Sequence, residues 1–429
     1  MSTAMIVTVV IFVLIFLLRM PISLGMIAAG TFYFITNGTD LGSVANHVMN
    51  TYYSNYVIIA VPLFIFTANV MNSGKVTEMV FKFATGLANG RRGALGHVNV
   101  IASLIFSGMT GSAIADASGL GKMEIEAMKE AGYDDAFSCA ITSASATVGP
   151  IFPPSIPLVM YAMLSGASVG ALFLGGMVPA ILVCIGLMIY VSVMSRIRNY
   201  PREAKISRRD FFKFTLEALP ALLTPVILLM GIYTGIMTPT EAGAVAAIYA
   251  IFVAFLAYKA MSFKGLFNII KDTIKDTGSV SLMVGAAAVI SYIVAREQIA
   301  TDLGALVMQF VDNKYVFLLI VNVIILILGM FIDTSTLQLV FVPIMIPMAR
   351  MFGIDLVHFG LVVTLNMMIG LSTPPFGMLL FITASISGTS LKAVMREIRW
   401  PIVAMLVVLL LITFIPEIVL FLPRTFGMI

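Results

Sequence analysis

Two short polar stretches interrupt the apolar ones in this chain, and both carry oxygens that suit a hard cation. They are Ser107-Gly108-Met109-Thr110-Gly111-Ser112 and Gly329-Met330-Phe331-Ile332-Asp333-Thr334-Ser335-Thr336. Each has a companion further along, Thr147-Val148-Gly149-Pro150-Ile151-Phe152-Pro153-Pro154-Ser155 and Gly370-Leu371-Ser372-Thr373-Pro374-Pro375-Phe376-Gly377. Proline lacks a backbone donor and clashes with the preceding turn, so Pro153-Pro154 and Pro374-Pro375 should open a helix and free its carbonyls. Those carbonyls, with hydroxyls and one carboxylate, suit sodium, and half-helix ends add dipoles. One sodium site is expected among Ser107, Gly108, Thr110, Ser112, Gly149 and Pro150. A second is expected among Gly329, Asp333, Thr334, Thr336, Gly370 and Thr373. The alternative, that these residues only kink packed helices, loses weight because the pairing occurs twice.

The pairing belongs to a longer repeat. Val98-Asn99-Val100-Ile101 recurs as Val321-Asn322-Val323-Ile324, and Gly132-Tyr133-Asp134 as Gly353-Ile354-Asp355. Pro153-Pro154 recurs as Pro374-Pro375, and Ser165-Gly166-Ala167-Ser168 as Ser387-Gly388-Thr389-Ser390. The offset stays between 221 and 223 residues throughout. Colinear repeats broken by Gly and Pro are the signature of secondary transporters.

Composition fixes the surroundings of these elements. The 429 residues are 60% hydrophobic and 11% charged, far below the quarter or so of charged residues in soluble domains, so the chain reads as a polytopic all-α membrane protein. No polar stretch is long enough for a separate soluble core, and no dense basic face exists for nucleic acid. Cys139 and Cys184 lie in apolar runs, which argues against a disulfide framework. Gly119-Leu120-Gly121-Lys122-Met123 lacks the spacing and hydroxyl of a phosphate loop. No nucleophile–base or metal spacing is present and no organic cofactor is implied, so an enzyme is not expected. Energy must come from an ion gradient or a partner. Met5–Leu18 lacks a basic flank and a cleavage site, and is expected to be a retained span.

Expected spans are 4–18, 21–36, 55–85, 136–163, 171–195, 217–236, 240–258, 277–296 and 399–421, with 357–385 a second broken segment beside 136–163. Lys and Arg crowd alternate loops, such as Arg196 to Lys213 and Lys259 to Lys275, while 37–54, 164–170 and 236–240 contain none. The basic loops are therefore placed in the cytoplasm. Alternation holds only if 98–125 and 316–350 are re-entrant hairpins, allowed where protein or water satisfies their backbone. Five crossings between the copies invert the second. The expected division is a first repeat at 1–195, an amphipathic connector at 196–216 and a second repeat at 217–429. The stretches 200–216 and 260–276 read as arms lying in the interface plane. Arg19-Met20-Pro21 reads as a turn between two spans, with both termini outside; a single kinked helix over 4–36 is the alternative.

Few charges fall in apolar surroundings, so each is a candidate. Arg296 suits a substrate carboxylate through its planar fork, or else is an interfacial arginine beside Glu297. Asp116 orients the first hairpin or touches a ligand hydroxyl, or else is a cap. Glu241 reads as a helix-start residue. Asp333 is the best charged site candidate.

With these motifs in place, the chain resembles the large membrane subunit of a tripartite ATP-independent periplasmic (TRAP) transporter over essentially its whole length. The most specific pieces are Gly111-Ser112-Ala113-Ile114-Ala115-Asp116, Gly149 to Ser155 and Thr373-Pro374-Pro375. The sialic-acid branch looks closest, though dicarboxylate relatives share most of these residues. The resemblance implies an elevator-type ion transporter coupled to sodium, at least two ions per cycle. It implies a four-span small (Q-type) membrane subunit on a separate polypeptide, and a periplasmic (P-type) substrate-binding protein. It also maps substrate or ion contacts onto Ser112, Asp116, Ser155, Arg296 and Asp333. The expected function is import of an organic acid anion, N-acetylneuraminate first, across a bacterial inner membrane. A dicarboxylate transporter, a stand-alone sodium/carboxylate symporter and, further off, a channel are the alternatives.

Overall fold

The computed structural model describes residues 3–18, 20–72, 74–88, 90–202 and 205–429. Arg19, the charge of the first expected turn, lies outside the described residues. Those described form helices and connections without a strand; one isolated bridge joins Arg92 to Arg202.

The chain opens with α1 (Thr3–Leu17), α2 (Ile22–Thr36), α3 (Gly42–Ser54), α4 (Ala60–Met71) and α5 (Gly74–Leu87). Pro21 has extended geometry at the start of α2, so 4–36 is two helices. They fold back on each other: Ile15 sits against Gly25, while Ala4 shares a cluster with Tyr33 and Phe34. Two expectations fail here. The loop 37–54 contains α3, which meets the next turn at a 74° bend, and 55–85 is divided after Asn72.

The first copy comprises α6 (Ala94–Thr110), α7 (Ala113–Ser118), α8 (Leu120–Glu130), α9 (Asp135–Ala146) and α10 (Ile156–Ser165). Gly111 takes a left-handed φ of 59° and Ser112 caps α7 by accepting the Ala115 N–H, which turns the chain back. The second copy comprises α16 (Lys314–Gly329), α17 (Thr334–Met351), α18 (Leu356–Leu371) and α19 (Met378–Ser387), preceded by α15 (Ile299–Met308). Here Asp333 is the cap, accepting the Thr336 N–H at 3.0 Å. Both expected breaks are present, with cis bonds at Pro153–Pro154 and Pro374–Pro375.

Between the copies run α11 (Val169–Ile197), α12 (Arg208–Tyr233), α13 (Pro239–Phe252, continued by a π turn to Ala257) and α14 (Phe263–Arg296). The expected interfacial arms are not separate elements. The basic stretch before residue 217 continues unbroken into α12, and that at 263–276 into α14. Lys and Phe at helical spacing extend a helix as readily as they end one, so composition alone set no boundary. The tail is α20 (Leu391–Glu397), α21 (Arg399–Phe414) and α22 (Glu417–Thr425), dividing the expected span 399–421 at Pro416. Among the described residues five helices (α11, α12, α13 with its π turn, α14 and α17) are long and apolar enough to cross a membrane. The number is seven if two bent pairs each count as one span.

The copies interlock reciprocally. The half-helix α10 packs on α17 of the second hairpin, and α19 packs on α7 of the first. Gln338 Nε2 donates to Pro157 O at 2.8 Å, and the Ser143 and Thr383 hydroxyls meet at 2.8 Å. Within each copy a buried asparagine from the recurring Val-Asn-Val-Ile stitches hairpin to broken helix. Asn99 donates to Thr142 at 2.7 Å and accepts from Ser145 at 2.7 Å. Asn322 accepts from Asn366 at 3.0 Å. Buried amides must be satisfied, and these bonds fix the register of each pair.

Candidate functional site

The hairpin tips and breaks converge on one cavity of about 500 Å³. The first tip contributes Thr110 to Ala115 and Ser118; the second contributes Asp333, Thr334 and Ser335. Pro150, Ile156, Pro157, Met368 and Leu371 come from the breaks, and α4 and α14 close the far wall with Asn69, Asn72, Asp276 and Ser279.

Glycine permits the close approach of tip to break. A Cβ on Gly111 would lie 2.4 Å from the Pro154 carbonyl oxygen. One on Gly149 would lie 3.5 Å from the Ser112 carbonyl carbon and 3.6 Å from Ser107 Oγ. In the second copy a Cβ on Gly370 would lie 2.8 Å from Gly329 Cα. Both expected pairings of tip with break are therefore met in space.

The local chemistry fits a hard cation. Ser107 donates its proton to Ser103 O at 2.5 Å and Thr110 to Phe106 O at 3.4 Å, leaving hydroxyl lone pairs for a ligand. Thr334 Oγ1 is buried without a hydrogen-bond partner beside Asp333. Both Asp333 oxygens serve Thr336, from its N–H at 3.0 Å and its hydroxyl at 2.5 Å, which orients the carboxylate at the cavity edge.

Other candidates lie off the cavity. Ser155 is fully buried, donates to Pro150 O and caps α10 by accepting the Leu158 N–H at 3.2 Å. Its role is to shape the break. Gly108 packs against Pro225 of α12, while Thr336 and Thr373 are turned inward. Asp116 is only 1% exposed and faces the interior, so it does not touch a ligand in this cavity. Arg296 also lies off the cavity. It ends α14 twenty residues beyond Asp276, about 30 Å along the helix, and donates to the Tyr292 hydroxyl at 3.1 Å. Neighbouring Glu297 accepts from Tyr33 at 2.7 Å, so this corner fastens α14 to the opening helices. The interfacial alternative for Arg296 is the one its position matches.

Sequence reasoning missed Asn69, Asn72, Asp276 and Ser279. The asparagines were visible as polar residues three apart at the end of an apolar run. Asp276 and Ser279 were hidden because their stretch read as an interfacial arm and span start.

Reciprocal hairpins, two broken helices and a cavity where all four meet define a helical membrane-transporter fold. A solved structure of the same fold is the Alcanivorax borkumensis YdaH transporter, with a TM-score of 0.62, 15% identity, and 90% of this chain and 89% of that one covered. The family described as the DctM component of the tripartite ATP-independent periplasmic transporters matches residues 9–418, and the chain belongs to it. It is 42% identical over 408 residues to the sialic acid TRAP transporter large permease protein SiaM of Vibrio cholerae, 95% of each chain. It is 35% identical to the C4-dicarboxylate TRAP transporter large permease protein DctM of Pseudomonas aeruginosa, over 87% of this chain and 88% of that one. The chain is thus a large permease subunit of a TRAP transporter, and not an enzyme.

Proposed function

We propose that this subunit imports a sugar acid of the sialic-acid class by sodium symport in a bacterial inner membrane. The hairpins and half-helices move as a unit against the remaining helices. A small membrane subunit and a periplasmic binding protein complete the transporter. The observation that carries the reading is the cavity between the tips. It is lined by two aspartates, two asparagines and several hydroxyls, with no Lys, Arg or His among its lining residues. Such a wall offers many acceptors to a polyhydroxylated substrate and leaves the charge of an anion to be balanced by cations. The likeness to the Vibrio cholerae protein supports the same substrate class.

Two sodium ions carried with one monoanion would move one net positive charge inward. At about 2.3 kcal/mol per 100 mV, the potential would support somewhat under two decades of accumulation. The test is uptake into proteoliposomes with binding protein and small subunit, under sodium and choline gradients, with N-acetylneuraminate and C4-dicarboxylates as competing substrates. Sodium-driven N-acetylneuraminate uptake that fails when either partner is omitted supports the proposal. Uptake without partners points to a stand-alone symporter, preferential dicarboxylate uptake to the other branch, and conductance without accumulation to a channel.

A further inference from the structure

The second halves of the broken helices, α10 and α19, end in the same way. Their last residues are Ser165 and Ser387, followed by Gly166 and Gly388 with left-handed φ of 76° and 70°. The final carbonyls of a helix have no intrahelical partner and carry its negative dipole end. In both copies a cation reaches one of these carbonyls, and in both it comes from the other copy. Lys129, in the last turn of α8, donates from Nζ to Ser387 O at 2.9 Å. Arg350, in the last turn of α17, donates from Nη2 to Ser165 O at 3.2 Å. Lys129 and Arg350 fall at the repeat offset, as do the two serines.

We infer that Lys129 and Arg350 are positioning residues for transport. Each anchors the outer end of the opposite copy's half-helix to its own hairpin, so that two hairpins and two half-helices travel as one body. Neither touches the cavity, and each acts through the helix it holds. Each half-helix has only ten residues; Gln338 bonds the first turn of α10 and Ser143 meets Thr383 within α19, while the anchor is the bond that holds the last carbonyl. Lys129 also pairs with Asp135 at the start of α9, at 3.3 Å, and so joins three elements. The exchange is crossed: a hairpin of one copy holds the half-helix of the other. A cross-tie between copies resists relative sliding, which a bond within one copy does not.

The transport arm of the test rests on the function proposed above; the structural arm does not. In the purified complex, hydrogen–deuterium exchange is followed by peptide for Lys129→Met, Arg350→Met and the conservative Lys129→Arg and Arg350→Lys. Lys129→Met is expected to speed exchange about tenfold in 378–387, the other copy's half-helix, equivalent to about 1.4 kcal/mol of lost protection. Arg350→Met is expected to do the same in 156–165. Sodium-driven uptake by both Met variants is expected to fall by about tenfold, and the conservative variants to restore both readouts. Exchange that rises only around the substituted residue, rises everywhere or does not change would overturn the inference. So would Met variants that transport normally while the half-helix exchanges faster. If no variant transports, native included, while exchange changes in the crossed pattern, the proposed function has failed and the anchors stand.

Discussion

Gly370 offers the sharpest test of the proposed second ion site, because there the backbones of α18 and the hairpin tip touch. An added methyl at Gly370 would lie 2.8 Å from both the Cα and the carbonyl carbon of Gly329, and 3.0 Å from its oxygen. Ordinary contact begins near 3.4 Å, so the tip must retreat by about 0.6 Å, and every atom in the way is backbone. Overpacking of this kind costs about 1–3 kcal/mol. Strain of about 2 kcal/mol expressed at the tip would raise the half-saturating sodium concentration roughly thirtyfold. Gly370→Ala is therefore expected to need at least tenfold more sodium for uptake, with a modest loss in thermal midpoint. Gly278→Ala is the control, since a Cβ there meets nothing within 4 Å and alanine favours the helix by about 1 kcal/mol. A folded Gly370→Ala protein with native sodium activation would refute the claim that contact between tip and break sets an ion site.

Asp333 combines a cap and a charge, and two substitutions separate them. Asp333→Ala should lose about 1 kcal/mol of capping and weaken sodium activation of uptake, whereas Asp333→Asn should keep the cap and still weaken activation. Equal activation curves for both variants and the native protein would remove Asp333 from the site. Arg296→Glu should leave uptake within about twofold, since the residue lies far along α14 from the cavity. Asn366→Leu removes the donor to Asn322 O and Oδ1, at 2.8 and 3.0 Å, and leaves the buried Oδ1 without that partner while Asn322 Nδ2 keeps its bond to Thr413. A loss of about 1–3 kcal/mol is expected in thermal unfolding; an unchanged midpoint would show that the stitch is dispensable.

What the sequence disclosed and what it hid follow from range. The tips and breaks were legible because Gly, Pro and capping residues act locally: Gly111 and Ser112 turn the chain, and Ser155 caps the helix after the prolines. The repeat was legible as spacing, but its physical content was not. Asn99 and Asn322 were noticed as matches, and only their bonds to α9 and α18 show why they recur. The boundaries of α12 and α14 were misread, since a basic amphipathic stretch and a helix extension share one periodicity. Arg296 was misplaced for a related reason. Scarcity of charge marked it as notable, but no local signal tells which turns of a 34-residue helix face a cavity, and those that do are near its middle.

The cavity's charge leads to a claim about order of binding. Asp276 and Asp333 line it, and no basic side chain among its lining residues offsets them. At an effective dielectric of 20, one unit charge roughly 6 Å from another of like sign is repelled by about 3 kcal/mol. An organic anion entering the bare cavity would meet such opposition, and a sodium ion at either tip would cancel or reverse it. Under the proposed coupling, sodium must therefore bind first, and the two tips should not contribute equally. The second presents a carboxylate where the first presents Ser112, so the second should hold its ion more tightly. Substrate affinity of the detergent-solubilised complex should be at least tenfold weaker in choline than in sodium, and Asp333→Asn should narrow that ratio. Equal affinity in the two salts would mean that the anion finds its counter-charge elsewhere, and the cavity between the tips would lose its claim to be the substrate site.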